Sequence, residues 1–155
     1  MPASETIETF MDNIKTTLRD DSTFGPNVKK FEYIQDGNIP YIQKTQVPYV
    51  GIAAVSWPEE WISTGKRQVV FTVRVFIVNH FMQRETPIVG SGASIRGMTD
   101  YVMQAMDALR NQTFSNYLSR PIELSPSASE TLEYEDSAFQ MVATITAVGN
   151  RIFVP

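Results

Sequence analysis

From Gln68 to Phe81 the chain reads QVVFTVRVFIVNHF, fourteen residues without glycine or proline in which β-branched and aromatic side chains predominate. The run predicts one β-strand, about 46 Å long at roughly 3.3 Å per residue. A domain of this size has a diameter on the order of 40 Å, and ordinary strands run about 3 to 10 residues. The strand tip and the loop after it, at about residues 76–93, are therefore expected to leave the globular body and find cover on a neighbouring subunit. A second long strand follows near the C-terminal end. There Phe139, Met141, Ala143, Ile145 and Ala147 alternate with Gln140, Val142, Thr144, Thr146 and Val148, the period of a sheet.

Helical spacing occurs twice. Ile7, Phe10, Met11, Ile14 and Leu18 form one apolar face of a helix that Ser4 caps and that runs to about Arg19, with Glu5 and Glu8 at its positive end and Lys15 and Arg19 at its negative end. Ser94 caps a second helix to about Arg110, with Ile95, Met98, Val102, Ala105 and Leu109 on one face. Shorter strands are expected over Val28–Ile34, Tyr49–Ser56, from Ile122 to Leu124, and over Leu132–Tyr134, with a hairpin joining 49–56 to 66–82. Pro40 to Pro48 reads as an edge strand or an extended loop, Trp57-Pro58-Glu59-Glu60-Trp61 as a turn or a single helical turn, and Gln83 to Gly92 as a loop. Together these elements predict one α+β domain over residues 1–155: a mostly antiparallel twisted sheet with two long strands, packed against two main helices.

Composition narrows the chemistry. With 43% hydrophobic residues a chain of 155 has ample material for one core. It contains no cysteine, which excludes disulfides, a thiolate nucleophile and thiolate-bound metal, and a single histidine, which excludes a histidine metal cluster. No apolar window approaches the roughly 20 residues of a membrane span, and the first residues, MPASETIE, lack the features of a signal peptide, so a soluble intracellular product is expected. The net charge of −4 is unevenly spread: residues 1–65 carry nine acids and five bases, residues 66–120 three acids and seven bases, and residues 121–155 five acids and one base. Such blocks fit either docking between copies or a solvated mixed surface. The sequence pI near 5.0 disfavours nucleic-acid binding as a primary role.

Each candidate site has a bland counterpart. Gly90-Ser91-Gly92 before a helix suits an anion site or a hinge, yet GxxxxGK[ST], GxGxxG and GxSxG are all absent. His80 is a proton carrier only with a partner nearby, and otherwise an interfacial or partly buried structural residue. Glu130, Glu133, Glu135 and Asp136 suit a divalent cation, the acidic lining of a channel, or a solvated edge, and the spacing of an EF-hand is missing. Trp57 and Trp61 suit a ligand or partner, or a local packing cluster. Nothing here assembles a catalytic constellation, and no metal or other cofactor is expected. An alternative is a small-molecule-binding α+β domain with an aromatic-lined cavity holding Phe71, Tyr101 and Phe139.

The layout itself carries a resemblance. Helix, antiparallel strands including a very long one, glycine-containing loop, the helix MTDYVMQAMDAL, then short and long C-terminal strands resemble the tail terminator (tail completion) proteins of tailed bacteriophages over nearly the whole chain. Trp57–Trp61 and Pro40–Pro48 lie outside that layout. The resemblance implies a virion subunit, assembled in the host cytoplasm, that forms a homohexameric ring. Such a ring caps the tail tube, ends its polymerisation, joins it to the neck or connector protein, and lets DNA pass without specific binding or membrane contact. It implies no catalytic residues. From the shape of the expected arm, Val75, Ile77, His80, Phe81, Met82, Arg84, Ile88 and Val89 become candidates for subunit or tube contacts, with Glu130, Glu133, Glu135 and Asp136 as lumen or edge acids. Another neck or tail tube component is the alternative within the virion, although two helices fit a tube subunit poorly.

Overall fold

Two strands of fifteen residues each, β4 (Lys66–His80) and β7 (Phe139–Phe153), lie antiparallel in the middle of the molecule. They match residue for residue, from Arg67 opposite Phe153 to His80 opposite Gln140. The computed structural model describes residues 7–80, 98–127, 130–133 and 139–153. Around the central pair stand β1 (Lys30–Tyr33), β2 (Tyr49–Ser56), β3 (Glu59–Ser63), β5 (Glu123–Pro126) and β6 (Glu130–Glu133), giving one seven-stranded sheet of order β1-β2-β4-β7-β5. β3 pairs with the start of β4 beyond the end of β2, and β6 pairs with the start of β7 beyond β5. Every neighbouring pair is antiparallel except β1 with β2. With helices α1 (Ile7–Asp20) and α2 (Met98–Leu109) the fold is α+β, as the periodicities predict.

Both helices lie on one face of the sheet. Phe10, Met11, Ile14 and Leu18 of α1 and Met98, Tyr101, Ala105 and Leu109 of α2 meet the odd-numbered positions of the central strands, among them Phe71, Val73, Val75, Ile77, Ala143, Ile145 and Ala147. Size matching makes the contact close: the Phe10 ring stacks on Phe71 at 5.3 Å, over Gly149, the residue opposite Phe71. A Cβ at Gly149 would come within 2.8 Å of Phe10 and of Leu118, so only glycine fits beneath the ring. On the other face a smaller core of Tyr49, Ala53, Phe76, Val78 and Val142 is covered by Ile34, Ile39, Ile42 and Val47 of the connection from β1 to β2.

The central strand differs from its expectation in one important respect. As far as His80 it does not project, because β7 is equally long and pairs with it throughout. Val75 and Ile77 are fully buried under the helices, and Phe76 and Val78 are buried on the opposite face. The apolar excess of the strand is thus absorbed inside the subunit, on both faces, and Val75 and Ile77 are core residues rather than contacts for a neighbour.

Smaller corrections have local causes. Glu59–Ser63 forms a strand where a turn was expected, because Trp61 and Ile62 favour extended backbone and Gly65, at φ 78°, closes a tight hairpin onto β4. β2 and β4 pair antiparallel as expected, but they are not the two arms of one hairpin. Between Pro40 and Pro48 the extended-loop reading holds, with a single 3-10 turn at Lys44–Gln46. β7 continues past Val148 to Phe153, and its outer edge there is served by a loop: Ser119 N–H donates to the Asn150 carbonyl at 2.8 Å, and Ile152 N–H donates to Ser119 Oγ at 2.8 Å. That loop starts with a left-handed turn, Phe114, Ser115 and Asn116 at φ 52°, 57° and 67°. Each such residue costs about 1–2 kcal/mol, offset here by burial of Leu118 and by Phe114 and Tyr117 packing on Phe10 and Phe71. The Ser94 cap of the second helix lies outside the described residues.

Candidate functional site

A groove opens where α1 passes the outer strands. One turn of α1 supplies Ile7, Glu8, Met11 and Asp12, β1 supplies Tyr33, β2 supplies Ala54, and Trp57 completes the lining of an open groove with a volume of about 500 Å³. Its floor is apolar because Ile7 and Met11 are the edge of the helix's buried stripe. Its rim is acidic and aromatic. Glu8 and Asp12, four residues apart, fall on one side of the helix, and the Trp57 and Tyr33 side chains are 54% and 43% exposed.

Polar contacts fix the rim. The Tyr33 hydroxyl donates to Asp12 Oδ1, and the Lys15 ammonium stands 4.9 Å from the centre of the Tyr33 ring. Burial, then the hydrogen bond to Asp12 and the charge of that carboxylate, push the Tyr33 phenol up to about 12, partly opposed by Arg19. Tyr33 is therefore a neutral donor at physiological pH. After Trp57 the edge strand β3 exposes two more large apolar residues, Trp61 at 74% and Ile62 at 49%. Neither tryptophan belongs to the buried core, and both are exposed.

At the opposite end of the sheet His80 is half-buried. Its ring lies 5.3 Å from that of Tyr41, and Nε2 is 3.4 Å from Gln140 Oε1. Gln140 is fully buried: Oε1 accepts from Ile42 N–H at 2.8 Å and Nε2 donates to the Pro40 carbonyl at 3.0 Å. His80 thus belongs to a clamp that holds the chain's own residues 40–42 against the sheet. This is the partly buried structural role, with no acid or nucleophile brought to it by the contacts described.

The other expected site residues divide into two groups. Phe81, Met82, Arg84, Ile88, Val89, Glu135, Asp136 and the Gly90-Ser91-Gly92 segment lie outside the described residues. Glu130 and Glu133 are the ends of β6, in register with Val142 and Phe139. Phe71 is buried in the core beneath the helices and Tyr101 is buried on the core side of α2, while the Phe139 side chain lies outside the described residues. Among the described residues no three His, Cys, Asp or Glu side chains are grouped to hold a metal ion, and no helix is long and apolar enough to cross a membrane.

Pattern reading missed the groove because its walls come from four separate stretches of sequence. The one local signal was the pair Glu8 and Asp12 flanking Met11 at the margin of the apolar stripe. No protein-family model matches the chain, and no curated protein matches it in sequence.

Proposed function

We propose that this chain is a structural virion subunit resembling a phage tail terminator, which assembles head to tail into a ring that caps the tail tube and joins it to the neck or connector. The observation that carries the reading is exposed apolar surface at one end of the sheet, opposite the end at which the chain leaves β4. At the end where β4 starts, Trp57, Trp61 and Ile62 stand exposed. At the other end β4 delivers the chain into residues 81–97, which carry Phe81, Met82, Ile88 and Val89. Exposed apolar residues at one end and apolar sequence leaving the other would suit a heterologous contact, which makes a ring where the rotation closes. The central strands are filled from both faces within the subunit, so the contacts fall to the ends and not to Val75 and Ile77.

The role is geometric, without a reaction. Partners on this reading are further copies of the chain, the tail tube protein and the neck or connector protein, with DNA passing through the ring. Light scattering together with electron micrographs of the purified protein, alone and mixed with tail tubes, tests it. Ring-shaped particles or capped tubes are expected, and a strictly monomeric species that neither forms rings nor joins tubes overturns it.

A further inference from the structure

The connection from β1 to β2 is tied to the sheet twice. Gln140 holds Pro40 and Ile42, and nearer the start of the connection Arg74 Nη1, on the central strand β4, donates to Asp36 Oδ2 at 2.6 Å. Asp36 precedes Gly37, and this is the one Asp-Gly pair in a chain that has no Asn-Gly pair. The two are the central residues of an exposed turn, which Asn38 N–H closes onto the Gln35 carbonyl at 3.1 Å. Gly37 has φ 77°, the conformation that favours glycine at the third position of a type II turn. A Cβ on Gly37 would meet nothing within 4 Å, and among the described residues its N–H makes no hydrogen bond.

An aspartate before glycine is open to attack by the following amide, because no Cβ shields that nitrogen and the backbone there turns freely. The Gly37 nitrogen bonds to Asp36 Cγ and closes a succinimide, while a Cγ–O bond breaks and one water leaves with the amide proton. Water then opens the succinimide at either carbonyl. Opening at Cγ restores the aspartate. Opening at the main-chain carbon breaks its bond to the Gly37 nitrogen, which stays on Cγ, and leaves an isoaspartate of unchanged mass. No oxidant, reductant or further reactant enters. Closure requires the carboxyl group to turn onto the Gly37 nitrogen and to lose an oxygen, and Arg74 holds that group by Oδ2. Asp21, before Ser22, is the contrasting case: its Oδ2 accepts from the N–H groups of Thr23 and Phe24 at 3.1 and 2.8 Å, and the next residue carries a side chain. We propose that Asp36-Gly37 is a site of spontaneous conversion of aspartate to isoaspartate, and that Arg74 restrains it. The conversion adds a methylene to the main chain of the turn and draws the carboxylate back from Arg74, so it unties the start of the connection. It is independent of any assembly of the subunit.

The full chain and its Arg74→Gln variant are kept folded at neutral pH and body temperature for weeks, then digested with trypsin. Cleavage after Arg19, Lys29, Lys30 and Lys44 separates Asp21 and Asp36 into different peptides, residues 20–29 and 31–44. Isoaspartate is read as a new chromatographic peak of the same mass that isoaspartyl methyltransferase labels. Conversion at Asp36 is expected in the parent and several-fold faster in Arg74→Gln, with Asp21 unconverted in both. The Arg74–Asp36 pair is partly exposed, so its loss should leave the urea midpoint nearly unchanged. An Asp36→Asn variant reads the turn without the carboxylate: it should pass through the same succinimide and gain the mass difference between amide and acid. No isoaspartate at Asp36 in either chain overturns the proposal, as does an Asp36→Asn variant that keeps its amide. Equal rates in the parent and Arg74→Gln overturn the restraint by Arg74. Asp21 converting alongside Asp36 in Arg74→Gln overturns it too, since the route is then general unfolding.

Discussion

Beneath the helices the sheet is covered by elements that satisfy their own backbone hydrogen bonds, so apolar fit is all the cover has to supply. Phe10 on Phe71 over Gly149 is that fit at its closest. On the opposite face Tyr49, Phe76, Val78 and Val142 are covered by residues 34–48, which have no ladder of their own. Buried peptide groups there need partners, and the fully buried amide of Gln140 supplies two, to Ile42 and Pro40. A helix can be laid on a sheet by shape alone, whereas an irregular strap has to be tied down by a polar side chain reaching out of the sheet.

The comparison breaks most sharply at Phe10. Phe10→Ala is expected to cost about 3–5 kcal/mol in urea unfolding, the usual range for a buried ring. Gly149→Ala presses the same contact from below and should cost about 1–3 kcal/mol as overpacking. The double variant should cost less than the two together, because the missing ring leaves room for the new methyl. Strict additivity would mean that the fit between ring and glycine is not what closes this face.

The strap face responds to polarity instead. Gln140→Leu keeps most of the volume but orphans the Ile42 N–H and the Pro40 carbonyl, a loss of about 1–3 kcal/mol. Hydrogen exchange locates it: the Ile42 amide should exchange faster while the amides of α1 keep their protection. Unchanged exchange at Ile42 would show that the strap is held by its apolar residues and not by Gln140.

This difference also governs what could be read from the sequence. The helix-covered face follows from periodicity, since Phe10, Ile14 and Leu18 on one side and Phe71, Val73, Ala143 and Ile145 on the other announce themselves by spacing. The strap does not, because Ile34, Ile39, Ile42 and Val47 keep no period and Gln140 sits at a position that the alternation of β7 assigns to an ordinary polar face. The expected arm rested on the strand's length against the domain's diameter, and the structure answers it with an equally long β7 beside the strand and the strap over Phe76 and Val78. Glu59–Ser63 was misread for a related reason, as Pro58 and two acids weigh locally towards a turn while pairing with β4 is a long-range gain. The groove, built from Ile7 to Asp12, Tyr33, Ala54 and Trp57, had no linear signature apart from Glu8 and Asp12.

The smallest expected effect separates the two faces by their tyrosines. Tyr33 stands at the groove rim with Asp12 and is pushed up to about 12. Tyr49 is fully buried on the strap face and donates to Glu32 Oε2 at 2.8 Å; burial first, then that bond and its charge, raise its phenol further still. An unfolded tyrosine ionises near pH 10. Below that pH both states hold the proton and the stabilisation is complete; above it the unfolded chain releases the proton first, so the folded state binds more protons and stability falls with rising pH. Stability should therefore decline from about pH 10 upwards, and Tyr49→Phe should flatten that decline more than Tyr33→Phe, because the Tyr33 side chain is 43% exposed and solvent screens its interaction with Asp12. Urea midpoints for the two variants and the parent between pH 8 and pH 11 measure it. Equal flattening by the two variants would place the cause in having a carboxylate partner, Asp12 for Tyr33 and Glu32 for Tyr49, and not in the deeper burial of the strap face.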